Sequence, residues 1–496
     1  MQQARQIVII MTDTQRFDML GCYGNSDMAT PCLDRFAEQG IRFQQAYTCQ
    51  PVCGPARSAI FTGTFPHSNG SWGNSMPLGD NVKTIGQRLH NQNFHTAYIG
   101  KWHLDGGDYF GNGRCPDGWD PAYWYDMRCY LEELTPEERL LSRKRATNQH
   151  PTITEDFTFG HRVSNKAIDF LTKHQDNFLL VVSYDEPHDP CLCPKPFADM
   201  FRGYNWPKGH NIWDTLENKP AHHQLWAGDQ LACDKDALTI TPADFLGCNA
   251  FVDYEIGRVL DAVDHYAPDA LVIYTSDHGD FLGAHSLSGK GPAMYEEITH
   301  VPFIVRWPGV APAGTVCPHP VSHIDIAPTV LAAAGLSLPK VFEGRSIVQT
   351  LADPTLREND AIYMEFGRYE VDHDPFGGFQ PIRCACDGRY KLVVNLLTSD
   401  EFYDLKDDPD ELHNIIESEA HLSIRNALHD KLLNWMNTTR DPFRGYYWER
   451  RSWRTDARPA TWSYTGMTRQ REDEYEPHQL DYSTGLEITE AVRWKG

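Results

Sequence analysis

Four short, β-rich apolar runs in this sequence are each followed within a few residues by charged or imidazole side chains. Ile7–Met11 leads to Asp13, His95–Ile99 to Lys101 and His103, Phe178–Ser183 to Asp185 and His188, and Ala270–Thr275 to Asp277 and His278. A fifth run covers Pro302–Val305, and segments of helical periodicity lie between the runs. Thr30 and Pro31 open one such segment, with Leu33, Phe36 and Ala37 on one face and Gly40 at its close. Thr241 and Pro242 open another, carrying Phe245, Cys248, Val252, Ile256, Val259 and Val263 at helical spacing. Strands alternating with helices predict an α/β fold: a large, mostly parallel central sheet sandwiched by helices. Ligands of such sheets bind beyond the carboxyl ends of the strands, so the four run ends are expected to converge.

At 496 residues the chain exceeds what one hydrophobic core usually supports. The pattern changes after about residue 355, where Tyr390–Leu397 reads as a strand and 399–410 as turns. Ile424, Leu428, Leu432, Trp435 and Met436 then fit one helix. We expect a catalytic domain over 1–355, a smaller C-terminal α+β domain over 356–440, and an extended tail over 441–496 rich in Arg, Tyr and Trp. The net charge of −23 excludes nucleic acid as a general partner, and it requires a local positive site for any anionic substrate. No apolar run approaches bilayer length, which argues against a membrane partner. Ile7–Met11 has no small-residue cleavage site after it and reads as a first strand, not as a signal sequence. With thirteen irregularly spaced cysteines, this predicts reduced thiols in a cytoplasmic protein.

Cys53 lies in Cys53–Gly54–Pro55–Ala56–Arg57, which leads into Ser58–Ala59–Ile60–Phe61–Thr62–Gly63. Pro55 suits a first helical position and Gly63 a stop, which puts Cys53 at a helix N-terminus where backbone N–H groups favour negative charge. Arg57, one turn on, can reach the same place. By local pattern alone, Cys53 reads equally well as a small core residue on a capped helix.

With these residues in view, the chain resembles the type I sulfatases of the alkaline phosphatase superfamily from about Gln6 to about Ile415. The specific feature is Cys-x-Pro-x-Arg followed by Thr62–Gly63. Support comes from Thr12–Asp13–Thr14–Gln15–Arg16, Gly100–Lys101–Trp102–His103–Leu104, Pro187–His188–Asp189–Pro190 and Ser276–Asp277–His278–Gly279. Gly283–Ala284–His285 with Lys290, and Ser322–His323–Ile324–Asp325, add to it, and the segment beyond Asp441 resembles that of a YidJ-like bacterial subgroup. The resemblance implies an alkaline phosphatase-like fold and hydrolysis of a sulfate ester. It also implies that a separate formylglycine-generating or anaerobic maturase converts Cys53 to formylglycine. One hydroxyl of the hydrated aldehyde would attack sulfur and expel the alcohol; the other would lose its proton as sulfate leaves, splitting one hard step into two.

The resemblance further implies that Asp13, Asp277, His278 and the side chain at Cys53 hold one divalent metal ion. Arg57 and Lys101 would stabilise charge at the nucleophile, and His103 would act as base for the elimination. His188 and Lys290 would hold sulfate oxygens and protonate the leaving alcohol. Two departures stand out: Thr14 replaces a second aspartate, and His278 replaces a common asparagine. That pair is shared with choline sulfatases and phosphonate monoester hydrolases. Calcium is the family's default ion, and the imidazole opens the site to manganese or another transition ion. Gly54 is an unusual spacer between Cys53 and Pro55.

The expected substrate is a small sulfated molecule, with a sugar suggested by aromatic and Arg content. Arg368 and His373 are candidate substrate contacts, since 364–383 is dense in aromatics, glycines and charges. Arg444, Arg450, Arg451, Arg454 and Arg458 with the tail aromatics fit either a recognition wall or a salt-bridging segment. His323 and Asp325 are expected to fix a turn, and His285 reads either as a member of the site or as a residue that only orients Lys290. A homo-oligomer follows from base rates. Two alternatives stand: a phosphonate monoester or phosphodiester hydrolase using the same nucleophile, and a non-catalytic anion- or metal-binding relative with Cys53 left as a thiol.

Overall fold

The computed structural model describes residues 3–106, 109–240, 242–370, 379–457 and 485. His373 and most of the tail beyond 457, including Arg458, lie outside them. Seven strands form the large sheet: β1 (Gln6–Thr12), β2 (Ile41–Tyr47), β3 (His95–Gly100), β4 (Phe178–Ser183), β5 (Leu271–Ser276), β6 (Phe303–Arg306) and β7 (Thr315–Ser322). Their order is β3-β4-β1-β5-β6-β2-β7. All neighbours are parallel except those of β6, which runs against β5 and β2. The five strands read from sequence are all present. β2 and β7 went unread, and for β7 the cause is chemical: Pro318 and Pro320 cannot donate to a ladder, which suits a strand at the sheet's edge.

The main helices are α1 (Pro31–Glu38), α2 (Cys53–Thr62), α3 (Phe159–Lys173), α4 (Ala243–Tyr266), α5 (Ile326–Ala333) and α6 (Leu422–Thr438). β1 sits in mid-sheet and alternates its side chains between two cores. Val8 and Ile10 pack with Val163, Phe170, Val252, Val259 and Phe36 from α3, α4 and α1. Ile7, Ile9 and Met11 pack with Ile60, Phe61, Val330 and Leu331 from α2 and α5 on the opposite face. Burial on both faces is why β1, β4 and β5 are continuous apolar runs and not alternating ones.

The antiparallel second sheet has the order β11-β10-β9-β8, with β8 (Ile362–Arg368), β9 (Phe379–Cys386), β10 (Tyr390–Asn395) and β11 (Glu401–Asp404). The stretch read as turns at 399–410 therefore contains a short strand, and within 364–383 the residues 364–368 and 379–383 belong to the ladder. One face of this sheet packs on α6 through Ala385, Leu392, Val394, Leu428, Leu432 and Met436. The other, with Met364, Phe366, Ile382 and Cys384, covers Tyr47, Val52 and Met294, so it lies against the entry to α2. Lys391, fully buried, ties the sheets together: its ammonium reaches Glu296 at 2.7 Å, Glu411 at 2.9 Å and the Met294 carbonyl at 2.8 Å.

Residues 441–457 are structural. Arg383 is buried and paired with Asp441, while Arg444, Arg451 and Arg454 reach Glu449 at 2.8 Å, Asp400 at 2.7 Å and Asp430 at 2.8 Å. This favours the salt-bridging reading of that segment over a recognition wall. All thirteen cysteines are free thiols. Among the described residues no helix is long and apolar enough to cross a membrane.

Candidate active site

β1, β3, β4 and β5 end together at one edge of the sheet, and their following residues meet there. Gly100 makes the exit from β3 possible: its φ is 121°, and a Cβ there would lie 1.8 Å from the Ser183 carbonyl oxygen. Trp102 then turns into a buried cluster with Phe61, Tyr98, Trp119 and Trp124. That anchor leaves Lys101 and His103 on the site side. His103 has φ of 57°, a left-handed conformation that a non-glycine residue holds only when its surroundings enforce it.

Helix α2 begins at Cys53, two residues before the expected Pro55, and stops at Gly63 with φ of 66°. Its N-cap, Val52, offers no side-chain acceptor; the amide oxygen of Asn74 accepts from the Gly54 N–H at 2.9 Å instead. A Cβ at Gly54 would meet that oxygen and the His103 carbonyl oxygen, both at 3.3 Å, a tight fit that accounts for the glycine.

Cys53 Sγ lies 2.9 Å from Lys290 Nζ, 3.2 Å from His278 Nε2 and 3.7 Å from Asp13 Oδ1. Arg57 is fully buried and bridges the two aspartates, 3.2 Å from Asp13 and 3.1 Å from Asp277, while also donating to the Lys101 carbonyl and Ser183 Oγ at 2.7 Å each. Lys101 Nζ reaches Asp13 at 2.7 Å and Asp185 at 2.9 Å. His188 Nε2 stands 3.9 Å from Asp13. Thr14, φ 66°, donates its hydroxyl to Asp13 at 2.6 Å and its N–H to Asp277 at 3.2 Å. The residue that replaces a second aspartate thus orients the two that remain.

Asp13, Asp277, His278 and Cys53 each present an atom within 4.8 Å of the others. Burial opposes charge on Asp13, but Lys101, His188, Lys290 and His278 hold its carboxyl well below the usual range. Burial and Asp13 push Asp277 the other way, to about 6. Burial and Asp13 also disfavour a thiolate at Cys53, and Lys290, Lys101 and His278 outweigh them, so its pKa falls well below that of a free thiol. His278 Nδ1 lies 2.9 Å from the Gly279 carbonyl, which puts the proton there and leaves the Nε2 lone pair facing the cluster. Two carboxylates, one of them held back from ionising by the other, and an imidazole nitrogen form a donor set that fits one divalent cation. Two further acidic–histidine groups do not fit: the one at His67, Glu365 and Asp441 already holds Arg383, and the one at Glu155, His161 and Glu255 already holds Arg258.

Of the residues expected at the site, Cys53, Arg57, Lys101, His103, His188, Lys290, Asp13, Asp277 and His278 all gather here. Arg368 ends β8 beside it, its carbonyl facing the Gln50 amide at 3.5 Å. The next residue, Tyr369, lies within electrostatic reach of Lys290 and Cys53. His285 does not contact Lys290; it pairs with Asp214 at 2.6 Å and stacks on Tyr295. Asp325 does fix the turn into α5, accepting from Ser322 and Arg345 N–H groups at 3.1 and 2.8 Å, whereas His323 Nε2 lies 3.2 Å from the Thr275 hydroxyl at the end of β5. Sequence reasoning missed Asn74, Tyr109, Thr14 as an orienter, and Tyr369. None sits at a motif position except Thr14, and contact across the fold is their only signal.

Glu186, next to Asp185, gives a prediction about stability. Its Oε1 accepts from Gly160 N–H at 2.8 Å near the start of α3, and burial together with Asp185 raises its pKa from 4.5 to about 8. A folded-state pKa above the unfolded value means the native state holds the extra proton. Its stability contribution is full below 4.5 and is lost as pH rises through 8. Glu186→Gln is therefore expected to melt with the wild type near pH 5 and above it at pH 9. Parallel melting curves across that range would refute this.

The sulfatase family model matches residues 5–336, and the model of the N-sulphoglucosamine sulphohydrolase C-terminal region matches 283–438. The chain is 44% identical over 491 residues to the sulfatase YidJ of Escherichia coli (strain K12), covering 97% of this chain and 96% of that one. In fold it is similar to a solved complex with the substrate D-glucosamine-2-N,6-O-disulfate, at TM-score 0.73 and 22% identity over 89% of this chain and 99% of the other. It is also similar to the phosphonate monoester hydrolase of Agrobacterium radiobacter, at TM-score 0.72 and 22% identity over 88% and 96%. Carried by a family match over most of its length and by a near relative covering nearly all of it, the chain belongs to the sulfatase family and is a sulfuric ester hydrolase.

Proposed function

We propose that this enzyme hydrolyses the sulfate ester of a small molecule, with a sugar as the first class to try, using Cys53 after conversion to formylglycine by a separate maturase. The carrying observation is the nucleophile position: Cys53 Sγ at the start of a buried helix, 2.9 Å from Lys290 and 3.2 Å from His278. Here Cys53 carries its encoded thiol, whose sulfur stands in for the oxygens of the converted side chain. Asp13, Asp277 and His278 would hold the metal, which when bound supplies Lewis acidity toward the sulfate. Lys101 and Arg57 hold positive charge beside the nucleophile. Lys290 binds a sulfate oxygen, and His188 gives a proton to the departing alcohol. His103, whose pKa burial lowers despite the neighbouring Cys53, is available as a neutral base. It takes the proton of the second hydroxyl as the carbon–oxygen bond to sulfate breaks and the aldehyde re-forms. The free thiols support a reducing compartment.

A second reading, hydrolysis of phosphonate monoesters or phosphodiesters, is favoured by the pairing of Thr14 with His278 beside the two aspartates. Two measurements test the proposal. The mass of the Cys53 peptide from native-host protein is expected to match the aldehyde or its hydrate; an unmodified thiol in active enzyme would refute that nucleophile. Rates on matched aryl sulfate and aryl phosphonate esters are expected to favour sulfate, and dominance of phosphonate by orders of magnitude would replace the first reading with the second.

The imidazole also sets an expectation for the ion. A nitrogen donor suits manganese and other transition ions better than calcium. His278→Asn, which offers an amide oxygen instead, is expected to shift preference toward calcium, read by calorimetric titration of each ion into metal-free protein. An unchanged ratio of affinities would place His278 outside the coordination shell.

A further inference from the structure

We infer that Tyr109 is a positioning residue for the leaving-group acid: its phenol fixes the nitrogen that His188 turns toward the reacting ester. This rests on the sulfatase reading above and adds a residue to it. Tyr109 lies just beyond the Gly100–Leu104 segment, and its side chain touches every proposed proton-handling group on that side of the site. Its hydroxyl is 2.5 Å from Asp185 Oδ1, 2.9 Å from Lys101 Nζ and 3.0 Å from His188 Nδ1. Lys101 Nζ stands 4.2 Å from the ring centroid. The rings of His103 and His188 each lie 5.3 Å from it, one edge-on and one tilted.

The hydrogen-bond roles in this group follow from its chemistry. A carboxylate only accepts and an ammonium only donates. The phenol therefore gives its proton to Asp185, and its two lone pairs receive Lys101 and the Nδ1–H of His188. A second acceptor, the Asp189 carbonyl, lies 2.9 Å from the same Nδ1. Both partners demand a proton on Nδ1, and that leaves Nε2 as the nitrogen directed at Asp13, 3.9 Å away, where the ester must bind. The protonated ring can then deliver its Nε2 proton to the departing alcohol without first rotating. A phenylalanine would keep the ring contacts and remove one of the two acceptors that hold the imidazole.

The test compares two leaving groups. A 4-nitrophenyl sulfate releases a stable anion and needs little acid assistance, whereas a simple alkyl sulfate needs a proton as its bond breaks. General acid catalysis is worth about 10²–10⁴-fold, and partial loss of orientation a fraction of that. Tyr109→Phe is expected to lower kcat on the alkyl sulfate about 10- to 100-fold and on the nitrophenyl sulfate by less than about 3-fold, with a near-wild-type melting temperature. In a His188→Ala background, adding Tyr109→Phe is expected to cost nothing further. Equal losses on both substrates, or a full additional loss in the His188→Ala background, would overturn the assignment. Should Tyr109→Phe fold poorly, Tyr109→Leu, which also removes the phenol oxygen and leaves Asp185 paired with Lys101, carries the same two-substrate comparison. If the wild type turns over neither sulfate, the sulfatase reading itself has failed, an outcome separate from a wild type that works and a variant that loses both substrates alike.

Discussion

Cys53→Ala is expected to reduce kcat on an aryl sulfate by about 10⁵-fold or more while the protein folds and still binds its metal. Cys53 is buried, but its sulfur is surrounded by Lys290, His278 and Asp13, so alanine removes the proposed nucleophile without opening an apolar cavity. The other proposed donors, Asp13, Asp277 and His278, are expected to keep their positions, since Thr14 and Arg57 hold the two aspartates and the Gly279 carbonyl holds the imidazole. Cys53→Ser separates the chemistry further. A single hydroxyl can attack sulfur once, but it has no second hydroxyl with which to eliminate sulfate. A stoichiometric burst followed by arrest is the expected trace. Steady turnover by Cys53→Ala would end any account that places the nucleophile there.

The largest expected effect on stability comes from Arg57→Met. The guanidinium is wholly buried, and its charge offsets those of Asp13 and Asp277 at 3.2 and 3.1 Å. Removing one partner of a buried ionic group leaves uncompensated charge, which costs about 3–5 kcal/mol. Denaturant melts of metal-free protein are expected to show a loss of that size at pH 8. The loss shrinks toward pH 5, because Asp277, already raised to about 6 by burial and Asp13, takes up a proton and leaves one charge fewer to strand. Arg57→Lys keeps the charge but not the fork that spans both aspartates, so it should fall between wild type and Arg57→Met. A loss below about 1 kcal/mol for Arg57→Met would mean that Lys101 and Lys290 alone neutralise the pair.

Much of this was readable along the chain. Fully buried parallel strands must be apolar throughout and must end where the backbone returns to polar surroundings. The runs before Asp13, Lys101, Asp185 and Asp277 therefore announced both the sheet and its functional edge. The same logic failed for β7, whose prolines are tolerated only because it lies at the sheet's edge, and for β11, too short to show a pattern. His285 shows the limit for single residues: a nearby motif position suggested service to Lys290, and packing gave it to Asp214 and Tyr295.

The sequence by itself determined the apolar runs and the polar residues at their ends, because buried strands must be apolar and must stop at polar surroundings. Its resemblance to the type I sulfatases singled out Cys53 as the proposed nucleophile, Arg57 beside it, and Asp13, Asp277 and His278 as the proposed metal donors. The tertiary structure alone decided what orients them. Asn74 caps α2 from 20 positions away, Thr14 joins aspartates that are 264 positions apart, and Tyr109 meets His188 across 79. Hydrogen bonds of this kind are set by where two backbones come within about 3 Å of each other, and no local spacing encodes that distance.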